Sequence, residues 1–128
     1  MIYLDTSVVL AELFAEDRRP PEDFWKGQFV ASRLLEVETW TRVHGRRAAG
    51  THGDAAREIL GAVAFVELAP TVLVRAVEPF PEPVRTLDAI HLATATFLVG
   101  QRMHVEVATY DQRMARAARA LGLEVVEP

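Results

Sequence analysis

Apolar residues recur along this chain in short blocks with two different periods. Ile2-Tyr3-Leu4 is a brief apolar run ending at the polar triplet Asp5-Thr6-Ser7, and residues 8–15 then carry the pattern of a helix. Arg18-Arg19-Pro20-Pro21 interrupts that helix, Phe29-Val30-Ala31 reads as a second strand, and Ser32, a favoured N-cap residue, opens a helix running past Trp40. After a break at Ala49-Gly50, Thr51-His52-Gly53-Asp54 has the spacing of a capping box ahead of another helix. A third strand is expected at 65–68. Three prolines between positions 79 and 83 require a loop, after which Thr86 can cap a helix over 87–99 closed by Gly100. Alternation over 105–109 marks a fourth strand, Asp111 begins a helix to residue 121 that Gly122 ends, and 123–126 is a last strand.

Strands alternating with helices throughout predict an α/β fold, a three-layer domain around a parallel sheet whose ligands bind beyond the carboxyl ends of the strands. There is no internal repeat, low-complexity tract or linker, so residues 1–128 are expected to form one domain. Half the residues are hydrophobic and a quarter charged, which is a globular balance. The absence of cysteine excludes disulfides, thiolate zinc sites and cysteine nucleophiles. The first residues show neither a basic region nor a long apolar stretch, so no signal peptide or membrane span is expected and a cytoplasmic location is the default. A net charge of -4 argues against coating nucleic acid by bulk electrostatics, so any such contact must be local.

Candidate chemistry sits where strands end. Asp5 and Asp111 each follow a predicted strand and precede a predicted helix, which puts both on one rim of a parallel sheet. Each is equally explicable as a helix N-cap. Glu38 shares a helical stripe with Leu34, Val37 and Thr41 and should be half-buried, either as a ligand or in an internal salt bridge; Glu36 lies on roughly the opposite face. Asp88 stands in the first turn of an apolar helix, where the macrodipole favours it, and forms a polar seam with His91 and Thr94. A hydrogen-bonded core histidine is the simpler reading of His91, since no second histidine has zinc-site spacing. Four convergent carboxylates repel one another unless a cation neutralises them, and oxygen-only donors select hard ions, Mg²⁺ or Mn²⁺. Such ions activate water and stabilise charge on a phosphodiester, which is nuclease chemistry.

Ile2-Tyr3-Leu4-Asp5-Thr6-Ser7, Ser32 with Val37-Glu38 beyond it, Leu87-Asp88-Ala89-Ile90-His91-Leu92-Ala93-Thr94-Ala95, and Thr109-Tyr110-Asp111 leading into an arginine-rich helix occur in one order over residues 2–126. That set resembles the VapC-type PIN-domain ribonucleases of toxin–antitoxin systems. The resemblance implies a five-stranded parallel sheet between helices and an acidic site of Asp5, Glu38, Asp88 and Asp111 supported by Thr6 and Thr109. It further implies bound divalent metal, cleavage of structured RNA such as transfer or ribosomal RNA, homodimerisation, and inhibition by a VapB-type antitoxin.

Two other readings stay open. A small Mg-dependent phosphohydrolase would use Asp5 as nucleophile but wants a second aspartate two positions on, where Ser7 stands. A non-catalytic PIN-like binding protein would keep the acids as structure. Arg42, Arg46, Arg47, Arg113, Arg116 and Arg119 are candidate guides for RNA, although a solvated face explains the last three without function. Phe14, Phe24 and Trp25 are candidate anchors for a partner helix, with the core as their simpler destination.

Overall fold

The computed structural model describes residues 1–128. Strands β1 (Ile2–Leu4), β2 (Phe29–Ser32), β3 (Val63–Val66), β4 (Glu106–Ala108) and β5 (Glu124–Val126) form one sheet in the order β3-β2-β1-β4-β5. All pairings are parallel, so every connection is a crossover. Helix α1 (Thr6–Leu13) and a short 3-10 turn (Glu22–Lys26) lead from β1 to β2, and α2 (Leu34–Gly45) with α3 (Ala49–Gly61) lead on to β3. The chain then returns through α4 (Pro70–Ala76) and α5 (Thr86–Gly100) to β4, on the other side of β1, and α6 (Gln112–Ala120) connects to β5.

Right-handed crossovers that step outward in opposite directions from β1 put their helices on opposite faces of the sheet. The packing follows that rule. Tyr3, Val30 and Val107 point to one face, against Leu92, Ala95 and Leu98 of α5 and Met114, Ala117 and Ala118 of α6. Their neighbours Leu4, Phe29, Ala31 and Ala108 point to the other, against Val8 and Val9 of α1, Leu35 of α2 and Leu60 of α3. Each central strand is therefore apolar on both sides, and the result is the expected α/β/α sandwich. Phe24 and Trp25 pack against the second cluster and Phe14 against a third between α1, α2 and α3, as the core reading of these aromatics required.

Several element ends differ from expectation, each for a local reason. Helix α1 starts at Thr6 rather than residue 8, because Asp5 caps it. Helix α3 starts at Ala49, so the expected break at Ala49-Gly50 falls inside the helix; Thr51 does not cap it but turns its hydroxyl back to the Ala48 carbonyl. Strand β3 lies two residues before the expected 65–68, since Glu67 is drawn away by Arg33, whose Nη2 donates to it at 2.6 Å. Thr86 is the first residue of α5 and makes no cap, and Gly100 belongs to the helix rather than closing it. Helix α4 and the 3-10 turn carry no expectation from the sequence.

Four helices end in the same hydrogen-bonded pattern, in which a residue of positive φ lets two successive amides reach back to the last turn. At the end of α6 that residue is Gly122, at φ +79°, with Gly122 N donating to Arg119 O and Leu123 N to Ala118 O. The other three use Ala15, Arg47 and Arg102, at φ +48°, +53° and +63°. The left-handed conformation costs a non-glycine residue roughly 1–2 kcal/mol, and here the recovered carbonyl bonds offset it.

Candidate functional site

Sheet order reverses between β1 and β4, and in such sheets the crevice beyond the carboxyl ends opens at that reversal. An open pocket of about 900 Å³ lies there, and Asp5, Thr6, Glu38, Asp88 and Asp111 all line it. Asp5 enters from the end of β1, Glu38 from the second turn of α2, Asp88 from the first turn of α5, and Asp111 from the cap of α6. Thr109 is buried beside Asp5. Glu36 stays outside the pocket and pairs with Arg33 at 3.2 Å.

Each acid is held differently. Every hydrogen bond to Asp5 falls on Oδ2: Ser7 Oγ donates at 2.6 Å, Thr109 Oγ1 at 2.8 Å and the Ser7 amide at 3.4 Å. Ser7 Oγ in turn accepts from the Tyr110 amide, and Thr109 Oγ1 from the Asp111 amide, each at 3.0 Å, which ties the β1 turn to the β4 turn. Asp111 accepts the Arg113 and Met114 amides on Oδ1 alone. Its Oδ2 meets the Arg85 guanidinium, which also reaches Asp88.

Glu38 is fixed through a buried relay that begins at the sheet. The Tyr3 phenol, pushed far above its ordinary titration range chiefly by burial, keeps its proton. Its oxygen accepts the Ser32 amide at 3.1 Å and lies 2.8 Å from His91 Nδ1. A carboxylate oxygen can only accept, so His91 Nε2 donates to Glu38 Oε1 at 2.5 Å. Thr6 Oγ1 donates to the same oxygen at 2.7 Å. Burial pushes the Glu38 carboxyl up, but the His91 hydrogen bond and charge, the Thr6 hydroxyl and the Arg42 guanidinium outweigh it, and its pKa lies below the ordinary 4.5. Glu38 Oε2 accepts no hydrogen bond, and neither does Asp5 Oδ1; both oxygens remain available to a cation.

The stripe expected for Glu38 requires correction. Val37 and Thr41 are exposed, and the buried face of α2 is Leu34, Leu35, Thr39 and Val43. Glu38 is half-buried because Thr6 and His91 draw its carboxylate inward, not because it shares an apolar face. His91 is indeed a hydrogen-bonded core histidine, and it positions the acid as well. Ser7, Tyr3 and Arg85 were not singled out from the sequence. Two of them carried a local signal: Ser7 stands two residues after Asp5, the reach of a cap, and Arg85 three before Asp88. Tyr3 carried none, because its partners lie 29 and 88 residues away.

As arranged, no three acidic or imidazole groups converge on one point where an ion could be held. The donor set nevertheless fits a hard divalent cation. Every donor is an oxygen, two carboxylates each present an oxygen with no other partner, and three hydroxyls and an imidazole hold the remaining oxygens still. Arg18, Arg42 and Arg85 line the same pocket and supply local positive charge on an acidic protein.

A family model described as PIN domain matches residues 2–120. Among curated proteins of Mycobacterium tuberculosis, Ribonuclease VapC46 (strain ATCC 25618 / H37Rv) is 34% identical over 135 residues, covering 99% of this chain and 97% of that protein. Ribonuclease VapC35 of strain CDC 1551 / Oshkosh is 33% identical, and Ribonuclease VapC47 of the same strain 29%; each match covers 100% of this chain and 97% of the relative.

Proposed function

The chain belongs to the PIN-domain family, and from that premise we propose that it is a metal-dependent endoribonuclease, the toxin of a toxin–antitoxin pair. Its substrate is structured RNA, such as transfer or ribosomal RNA, and Asp5, Glu38, Asp88 and Asp111 hold Mg²⁺ or Mn²⁺. The observation that carries this reading is four carboxylates from four separate elements lining one pocket, two of them with an oxygen free of hydrogen bonds. When bound, a divalent ion supplies an activated water and neutralises charge developing on the phosphodiester.

The chain's own residues do the rest. Ser7 and Thr109 hold Asp5, while Thr6 and His91 hold Glu38, so that neither carboxylate must be ordered when a cation arrives. Arg18 and Arg42, on the pocket wall, can meet phosphates flanking the scissile bond. The phosphohydrolase reading is disfavoured because Ser7 stands where that chemistry wants a second acid, two residues after Asp5. A VapB-type antitoxin and a second copy of the chain are the partners that the relatives' names and the family resemblance support. No helix is long and apolar enough to cross a membrane.

The test is incubation of purified protein with total RNA and Mn²⁺ or Mg²⁺, beside a chelator control and Asp5→Asn. Internal cleavage that requires metal and disappears in Asp5→Asn is expected, with Glu36→Gln close to wild type and Glu38→Gln impaired. Cleavage that persists in chelator or in folded Asp5→Asn would overturn the assignment.

A further inference from the structure

Arg85 closes the loop before α5 and stands between two of the pocket acids. Its Nε donates to Asp88 Oδ2 at 3.4 Å and its Nη2 to Asp111 Oδ2 at 3.3 Å. One guanidinium thus joins the first turn of α5 to the cap of α6. The oxygens it takes matter. Asp111 Oδ1 is already occupied by the α6 amides, so Oδ2 is the oxygen that remains for a cation. Asp88 accepts no hydrogen bond except from Arg85.

Both contacts are long for charge-assisted hydrogen bonds, which ordinarily fall near 2.7–2.9 Å. The Arg85 side chain is 63% exposed, while Asp88 and Asp111 are 13% and 30% exposed. Two recessed carboxylates are therefore neutralised by a cation held loosely at the mouth of the pocket. Without it they would face each other unscreened in the metal-free protein. A divalent ion carries twice the charge and no conformational entropy, and it displaces such a group readily.

We propose that Arg85 is a built-in counterion of the acidic pocket, holding Asp88 and Asp111 in the metal-free protein and competing for them with the divalent cation that displaces it. The proposal rests on the metal site described under Proposed function. An exposed arginine that only braced two helices would affect stability alike with and without metal. A competing counterion instead weakens metal binding and stabilises only the metal-free form.

Mn²⁺ titration by calorimetry on wild type, Arg85→Gln, Arg85→Lys and Asp5→Asn tests this, with thermal melts in chelator and in saturating Mn²⁺. Arg85→Gln should bind Mn²⁺ roughly three- to tenfold more tightly, the span that two exposed ion pairs carry, with Arg85→Lys in between because an ammonium cannot span both carboxylates well. Its melting temperature should fall below wild type in chelator and match wild type in Mn²⁺. Wild-type or weaker affinity in Arg85→Gln, with binding present and lost in Asp5→Asn, overturns the counterion and leaves the metal site standing. No Mn²⁺ binding to wild type and Arg85→Gln alike overturns the metal site and the counterion together.

Discussion

Replacing Tyr3 by phenylalanine isolates the relay that fixes Glu38. Tyr3 is fully buried in β1, and its hydroxyl serves two groups, the Ser32 amide and His91 Nδ1. Phenylalanine fills the same space apart from one oxygen, so the change is in hydrogen bonding rather than packing. A buried polar group left without a partner costs about 1–3 kcal/mol. Two such groups, toward the lower half of the summed range because both shared one hydroxyl, give a loss of about 2–4 kcal/mol. For a domain of this length that is on the order of 10 °C in melting temperature.

Urea denaturation followed by circular dichroism reads this directly, provided the slope is unchanged. Tyr110→Phe is the control, because that phenol has one acceptor, the Pro128 carbonyl at 2.8 Å, in a half-buried setting; a loss below about 1 kcal/mol is expected there. In a His91→Phe background Tyr3→Phe should cost less, since only the Ser32 amide is then orphaned. The difference, about 1 kcal/mol, is the Tyr3–His91 coupling. If Tyr3→Phe lies within about 0.5 kcal/mol of wild type, the hydroxyl is not part of a load shared with His91 and the relay is wrong.

The folded-state pKa of Glu38 lies below its ordinary 4.5, so its ionised form contributes stability that is present above about pH 4.5 and lost as pH falls through the folded value. The stability difference between wild type and Glu38→Gln should therefore shrink as urea midpoints are followed from pH 7 to pH 3 in metal-free buffer, and a constant difference would refute the assignment. Mn²⁺ at a hundredfold excess over its dissociation constant should stabilise the protein by about 2.7 kcal/mol. Identical melts in millimolar Mn²⁺ and in chelator would count against metal binding in the pocket. Arg102→Gly removes roughly 1–2 kcal/mol of left-handed strain at the end of α5 and adds about 0.5–1 kcal/mol of unfolded-chain entropy. A rise of a few degrees in melting temperature is the expected net result, and a fall would refute the strain.

How much of this was readable from the sequence depended on whether the deciding contact was local. The cores of the strands and long helices follow from apolar runs and were placed correctly, and so was Gly122 as the stop of α6. The other helix ends were not. The first helix was expected to stop at Arg18-Arg19-Pro20-Pro21 and the others at glycines, yet the positive-φ positions after α1, α2 and α5 hold Ala15, Arg47 and Arg102. Gly50 and Gly100, taken as breaks, lie within helices. Helix α4 escaped notice because it is seven residues long and leaves Leu73 and Val74 exposed, so it carries no amphipathic contrast. For the site, positions at strand ends pointed to Asp5 and Asp111. What orients Glu38 is a histidine 53 residues away, a distance over which no local pattern operates.

Cap and ligand were alternative readings of Asp5 and Asp111 from the sequence, and the geometry makes them compatible. In each residue one oxygen serves the helix and the other is left over: Oδ2 of Asp5 and Oδ1 of Asp111 take the first-turn amides. Occupying one oxygen fixes the carboxylate plane, so the cap is what aims the second oxygen into the pocket. The two roles can then be separated by chemistry. Alanine removes both, and loss of a cap alone costs about 0.5–2 kcal/mol, so a dead alanine variant would say little. Asparagine keeps a carbonyl oxygen for the cap, removes the charge, and relieves repulsion among the remaining acids. Asp5→Asn should therefore melt no lower than wild type in chelator, yet gain almost nothing from Mn²⁺ that stabilises wild type. If it instead unfolds more easily in chelator, the negative charge of Asp5 serves the fold, and the cap reading alone suffices for that residue.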